Sequence, residues 1–270
     1  MKNSTYTVSD VLAAVEKPAP FALCEDWDNS GLLVGDANSP ADKIGVCLDI
    51  SSAQIEQAQR LEISCIVSHH PVIFRPEEPR FLAPNPAYLL ARAGISAIAA
   101  HTNLDSAGGG VNDVLAEIIG LQNIKLLQET PTTGRSRSQL PAAMLRMGEL
   151  PEELSAADFA HLAAERLSAC VRYADGGKPI RRVAVCGGSG GEFVKDCARL
   201  GFDAYLTGEA RHHEFLAARA GGITLLAAGH YETEAPVVER LAAALRDGLP
   251  GAELIVLDEE NPVLAALNAD

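Results

Sequence analysis

Short apolar runs rich in Val and Ile alternate along this chain with longer stretches of helical period, and that alternation leaves few folds open. Strands are expected at 44–49, 63–68, 95–100, 182–186, 203–207 and 223–228. Helical patterns stand between or beside them at 7–16, 51–62, 86–93, 111–119, 155–168, 192–200 and 235–246. A strand, a helix and a further strand require a right-handed crossover, which builds a mostly parallel sheet. The runs are almost continuously apolar, as strands covered on both faces are. The expected fold class is α/β.

The pattern also repeats. LLARAGISAIAAH (89–101) recurs as FLAARAGGITLLAAGH (215–230), with the helix end, the Gly turn, the strand and a terminal His in register. The surrounding order of helices and strands matches as well. Two similar α/β halves are expected, an internal duplication: 1–128, a connection at 129–141 (ETPTTGRSRSQLP, polar with Pro and Gly), and 142–270.

Composition excludes several function classes. No apolar run reaches the roughly 18 residues that cross a bilayer, and MKNSTYTVSD lacks the features of a signal peptide. The formal charge of −14 argues against a general binder of nucleic-acid backbones. It leaves room for a small anionic substrate at a locally opposed site. The six cysteines form no C-x-x-C pair. Cys47, Cys65 and Cys186 lie inside apolar runs and read as buried hydrophobes in a reduced, cytoplasmic setting.

Three expected strands end in histidine. IVSHHP places His69 and His70 at one end, AIAAHTNLD places His101 with Asp105 four residues on, and LLAAGHYETE places His230 with Glu234 four residues on. His101 and His230 are 129 residues apart, and so are Asp105 and Glu234. The carboxyl ends of parallel strands share one edge, where α/β proteins carry their sites. Four imidazoles and two carboxylates gathered there, in a cleft between the halves, would need a counter-ion. A mixed His and carboxylate set suits Zn, Fe or Mn better than Ca or Mg. The set exceeds one tetrahedral site and suits two metals.

Other residues carry less. Glu209 occupies the second half's counterpart of His69–His70 and either lines the cleft or caps a turn. Asp28, Asn29 and Ser30 read as turn residues before a strand, with Asn29 in reach of the cleft. GGSGG (187–191) reads as a flexible turn, with phosphate cradling as the lesser alternative. Gly108, Gly109 and Gly110 read either as a plain loop or as a close approach to the cleft. His212 and His213 read as an exposed first turn of a helix.

WDNSGLLVGD, IVSHHPVIF, AHTNLDSAGGGVND, LTGEARHHEF and AAGHYETE, in this order, resemble the Nif-three-like family, whose members are also called GTP cyclohydrolase 1 type 2 homologues or dinuclear-metal hexameric proteins. The resemblance runs from about residue 5 to 262. It implies a duplicated α/β fold, two divalent metal ions per subunit and a toroidal homohexamer. It further implies metal ligands at His69, His70, Asp105, His230 and Glu234, with His101 beside the ions in a catalytic role. The activity it implies is hydrolysis by metal-activated water, with opening of the GTP imidazole ring as the specific form. The competing classes are a metal-handling or regulatory binding protein and an interaction scaffold. No membrane is expected as a partner, and nucleic acid is disfavoured.

Overall fold

A computed structural model describes residues 5–75, 81–127 and 144–264. The expected connection at 129–141 lies outside the described residues. The chain divides into two compact units, Met1–Gly110 with Val237–Glu260, and Val111–Pro236 with Asn261–Asp270.

The first unit begins with α1 (Val8–Glu16), β1 (Gly31–Val34), β2 (Lys43–Cys47), α2 (Ser52–Arg60), β3 (Cys65–Ser68), α3 (Pro86–Ala93), β4 (Ser96–Ala99) and α4 (Thr102–Ser106). The second opens with α5 (Val111–Ile119) and continues through β5 (Gln122–Leu126), β6 (Arg146–Leu154), α6 (Ala156–Leu167), β7 (Arg172–Ala174) and β8 (Ile180–Cys186). It then runs through α7 (Val194–Arg199), β9 (Ala204–Thr207), α8 (His212–Gly221), β10 (Thr224–Ala227) and α9 (His230–Glu234). The last elements, α10 (Val237–Gly248) and β11 (Glu253–Val256), belong to the first unit.

These units cut the chain differently from the linear halves 1–128 and 142–270. Helix α5 packs within the second unit on α6, β6 and β8, while α10 packs within the first on α1, β2 and β11. Each is amphipathic, with buried Val111, Val114, Leu115 and Ile119 on α5 and Val237, Leu241 and Leu245 on α10. Such a stripe fixes which face is buried but not which sheet covers it.

All six expected strands form, as β2, β3, β4, β8, β9 and β10. The first sheet has the order β1-β4-β3-β2-β11, parallel except for β1. The second has the order β5-β6-β8-β9-β10-β7, and only the β8–β9 and β9–β10 pairs are parallel. A mostly parallel pattern therefore describes the first sheet, whereas the second is mixed. Strand β6 is polar at its far end, contains Pro151 and shifts register between Glu149 and Leu154, so no strand period marks it in the sequence. The order β1-β4-β3-β2 in one unit recurs as β7-β10-β9-β8 in the other, with the first strand antiparallel each time.

Local sequence explains the helix starts that feed the sites. Thr7 caps α1 in a reciprocal pair with Asp10, Ser51 does the same for α2 with Gln54, and Asn85 caps α3 ahead of Pro86. Gly94 ends α3 at φ 70°, a conformation that glycine adopts without a Cβ penalty. Strands β3, β4, β9 and β10 are buried at every position, as central strands covered on both faces should be. Among the described residues no helix is long and apolar enough to cross a membrane.

The cysteines give a direct check on this packing. Cys47, Cys65, Cys186 and Cys197 are buried, Cys24 is half-buried and Cys170 is exposed. Burial pushes the Cys65 thiol up to about 12, and the Cys47 and Cys197 thiols well above their usual value. In a thiol titration of the folded protein Cys170 should react at once and Cys24 slowly. The four buried thiols should appear only on unfolding, and rapid reaction of any of them would contradict the core described here.

Candidate metal centre

In the first unit, strand ends deliver the histidines. The ladder continues past β3, with His69 N donating to Cys47 O at 3.2 Å and His70 N to Leu48 O at 2.9 Å. Beyond β4, Ala100 N donates to Ser68 O at 2.9 Å, and His101 follows at the head of α4. The His69 and His70 rings lie with centroids 4.9 Å apart, so leaving the strand does let neighbouring side chains face the same way. Ring nitrogens of His69, His70 and His101 all fall within 4.8 Å of one another, close enough to hold a metal ion.

The outer partners of these rings decide what they present. His69 Nδ1 lies 2.8 Å from Ala100 O, and a carbonyl can only accept, so Nδ1 carries the proton. His70 Nδ1 donates to Asp49 Oδ1 at 2.8 Å, and His101 Nδ1 donates to Asp28 Oδ1 at 2.8 Å. In their neutral forms all three therefore keep the Nε2 lone pair for the cluster, the arrangement that outer acceptors impose on metal-binding histidines. His69 Nε2 is buried and stands 3.6 Å from Asp105 Oδ1, beyond hydrogen-bond length. Two donors that share one ion at about 2.1 Å stand roughly 3–3.5 Å apart, so the pair has a spacing suited to a common cation.

The acceptors are themselves fixed. Burial alone would raise the Asp28 carboxyl, but bonds from His101 and Thr102, the charge of His101 and a bond from Ser30 outweigh it and hold the group well below the usual carboxylate range. Asp28 accepts from Thr102 Oγ1 at 2.6 Å, Thr102 N at 3.1 Å and Ser30 Oγ at 2.8 Å. Glu259 accepts from Leu48 N at 2.8 Å and Asp49 N at 2.7 Å, which fixes the backbone beneath Asp49. Burial pushes the Glu259 carboxyl up, against those two bonds.

In the second unit, His230 begins α9 just past β10, and Glu234 follows one turn on. His230 Nε2 lies 3.0 Å from the buried Glu234 Oε2, while its Nδ1 lies 3.6 Å from Glu209 Oε1. Glu209, just beyond β9, is thus beside His230. Both border a pocket of about 290 Å³ that also takes in Arg172, Tyr231 and Asn261.

Two sequence readings change, at Asn29 and at the GGSGG loop. Asn29 Nδ2 donates to Ile73 O at 2.6 Å and ties two loops together, and its neighbour Asp28 is the residue that reaches the histidines. GGSGG is a tightly bonded loop rather than a flexible turn: Gly188 N donates to Thr233 Oγ1 at 3.1 Å and Gly190 N to Thr207 Oγ1 at 3.1 Å. A Cβ on Gly188 would strike the Glu234 carboxylate, so glycine here lets the backbone lie against the His230–Glu234 pair. Gly110 is close-packed too, because a Cβ there would strike Leu104 O within α4, whereas Gly108 and Gly109 face open space. His212 and His213 are exposed on the first turn of α8, as expected.

The chain is 30% identical over 262 residues to a Clostridium perfringens protein named GTP cyclohydrolase 1 type 2 homolog, spanning 94% of this chain and 96% of that one. It is 32% identical over 254 residues to the protein NIF3 homolog of Schizosaccharomyces pombe, spanning 86% and 85%. The Staphylococcus aureus protein SA1388 shares the fold with a TM-score of 0.86 at 23% identity, over 97% and 99% of the two chains. Reduced HcgD from Methanocaldococcus jannaschii gives 0.78 at 26% identity, over 94% and 98%. The model of the family Duf34/NIF3 (NGG1p interacting factor 3) matches residues 6–262, and the chain belongs to that family.

Proposed function

We propose that this protein is a hydrolase dependent on two divalent ions, Zn, Fe or Mn, held by His69, His70, Asp105, His230 and Glu234. The observation that carries the reading is the shared state of the three first-unit histidines, each held through Nδ1, which leaves Nε2 of His69 and His70 to coordinate and that of His101 to take a proton. The recurrence of H-x3-acid at one register, in His101–Asp105 and His230–Glu234, supports a ligand role for the acid in each unit. Bound ions of this kind lower the pKa of water and polarise the carbon under attack.

The chain's own residues have separate tasks in this reading. His101 takes a proton on Nε2 while its Nδ1–H stays on Asp28. The imidazolium so formed faces a carboxylate held in its charged state, as in other Asp–His pairs. Ser30 and Thr102 keep Asp28 in place for that role. Among substrates, GTP stands first, because curated relatives carry the name GTP cyclohydrolase 1 type 2 homolog.

Metal-replete protein should convert GTP to a ring-opened product, and a chelated control should not. His101→Ala should slow turnover by about 10²–10⁴-fold while metal content stays near that of the parent. Full metal occupancy with GTP, other nucleotides and phosphoesters all left intact would favour metal handling instead. The partial exposure of the His70 and His230 side chains, 22% and 36%, would suit ligand exchange in such a protein. We further propose a homohexameric ring in a cytoplasmic setting, on the family resemblance. Light scattering should give six times the chain mass of 28.5 kDa, and a monomer at all concentrations would exclude the ring.

A further inference from the structure

Two large aromatic side chains stand exposed beside the first-unit histidines. Trp27 is 56% exposed and Phe74 is 53% exposed. Their ring centroids are 6.0 Å apart with planes tilted by 51°. Trp27 lies 6.0 Å from His101, edge to face, and Phe74 lies 6.1 Å from the same imidazole. His101 in turn lies 5.4 Å from His69 and 5.8 Å from His70, centroid to centroid.

The exposure is not that of a loose loop. Asn29 Nδ2 donates to Ile73 O at 2.6 Å, tying the loop that carries Trp27 to the one that carries Phe74. Next to Trp27, Asp28 accepts bonds from His101, Thr102 and Ser30. Asp28 N donates to Glu25 O at 2.9 Å, closing the turn. A bonded frame thus holds two apolar rings in water, where they contribute little to folding. Preorganised rings of this sort are what a ligand with a π-face binds at small entropic cost.

We propose that Trp27 and Phe74 form an aromatic notch that takes a planar heteroaromatic ring and sets it beside His101. The notch geometry selects the mode. A ring sandwiched between two others needs them parallel and about 7 Å apart, two carbon contact distances. At 6.0 Å and 51° the pair instead offers one face for stacking and one edge alongside. A flat ring stacked on Trp27 and touched by Phe74 has its rim turned to the imidazole. A ringless sugar phosphate has no face to offer and gains nothing here. As a statement about substrate class, the proposal rests on the reading of the histidine cluster as a reactive metal centre.

Trp27 is the chain's single tryptophan and so reports its own occupancy. Metal-replete protein should be titrated with GMP and with CMP, with ribose 5-phosphate as the ringless control, while tryptophan emission is followed. Saturable quenching by the two nucleotides and none by ribose 5-phosphate is the expected result. Phe74→Ala should weaken GMP binding roughly 5- to 100-fold with metal content unchanged. Trp27→Phe should retain most of the affinity in equilibrium dialysis and Trp27→Ala should lose it. Absence of saturable quenching, equal quenching by ribose 5-phosphate, or emission that shifts with protein concentration as another copy covers Trp27 would each overturn the notch. Full metal occupancy without ring binding would remove the notch alone. Ring binding in a protein that takes up no metal would remove the centre alone.

Discussion

Asp105→Ala should lose metal while keeping its fold. Asp105 sits on α4, one turn after His101, with its N–H bonded to His101 O at 3.0 Å. Its carboxylate stands 3.6 Å from the buried His69 Nε2 and is itself 14% exposed. Removing it takes away an anionic ligand and leaves an imidazole lone pair facing an apolar methyl group. Changing an outer partner of a metal ligand already costs about 10–100-fold in affinity, so deleting a ligand should cost at least about 100-fold. Elemental analysis after dialysis, followed by competition against a chelator, reads this directly. His212→Ala and His213→Ala are the matched controls, since both lie exposed on α8. Equal metal loss in all three variants would contradict the assignment, and so would full occupancy of Asp105→Ala. Thermal stability without metal should hardly move, because the hydrophobic clusters of the two units include neither Asp105 nor His69.

The histidines and acids proposed as ligands stand out in the sequence because their chemistry is written in local spacing. His69–His70, His101–Asp105 and His230–Glu234 each occupy a strand end or the first turn beyond it, and such positions can be read from an apolar run that stops. Asp28 and Asp49 were not legible in the same way. Their partners, His101 and His70, are 73 and 21 residues away, and no local period links them. Asp28 stands in a run of turn-forming residues, and Asp49 precedes the Ser51 cap of α2, so each has an ordinary local explanation. The same limit hid the exchange of α5 and α10. Their stripes require burial, but the choice of sheet is made by tertiary contacts that carry no mark in the helix itself. The edge strands escaped for a different reason. Strand β7 has three residues, and β5 is mostly exposed, so neither buries enough side chain to impose an apolar period. Loop 187–191 shows the converse error. Its glycines invite a reading of flexibility, although Gly188 and Gly190 are bonded through their backbones to Thr233 and Thr207.

Loop 187–191 supplies the sharpest test of how the second unit positions His230 and Glu234. Gly188 has φ +59°, and an added Cβ would strike the Glu234 carboxylate and come within 3.3 Å of His230 Nε2. The backbone cannot easily retreat, since Gly188 N is bonded to Thr233 Oγ1 and Gly188 O accepts from Glu209 N at 2.8 Å. Glu234 must move instead. It is only 5% exposed, so its carboxylate has little room, and its 3.0 Å contact with His230 Nε2 would break. Gly177 offers the comparison, with φ +78° and nothing within 4 Å of an added Cβ. Gly177→Ala should therefore show the backbone cost alone, about 1–2 kcal/mol. Gly188→Ala should add the clash, losing about 1–3 kcal/mol more, and should weaken metal binding by at least about 10-fold. Denaturant unfolding of the metal-free variants separates the first effect, and chelator competition on the reloaded proteins measures the second. If both variants lose equal stability and both retain metal like the parent, the loop is not shaped around His230 and Glu234.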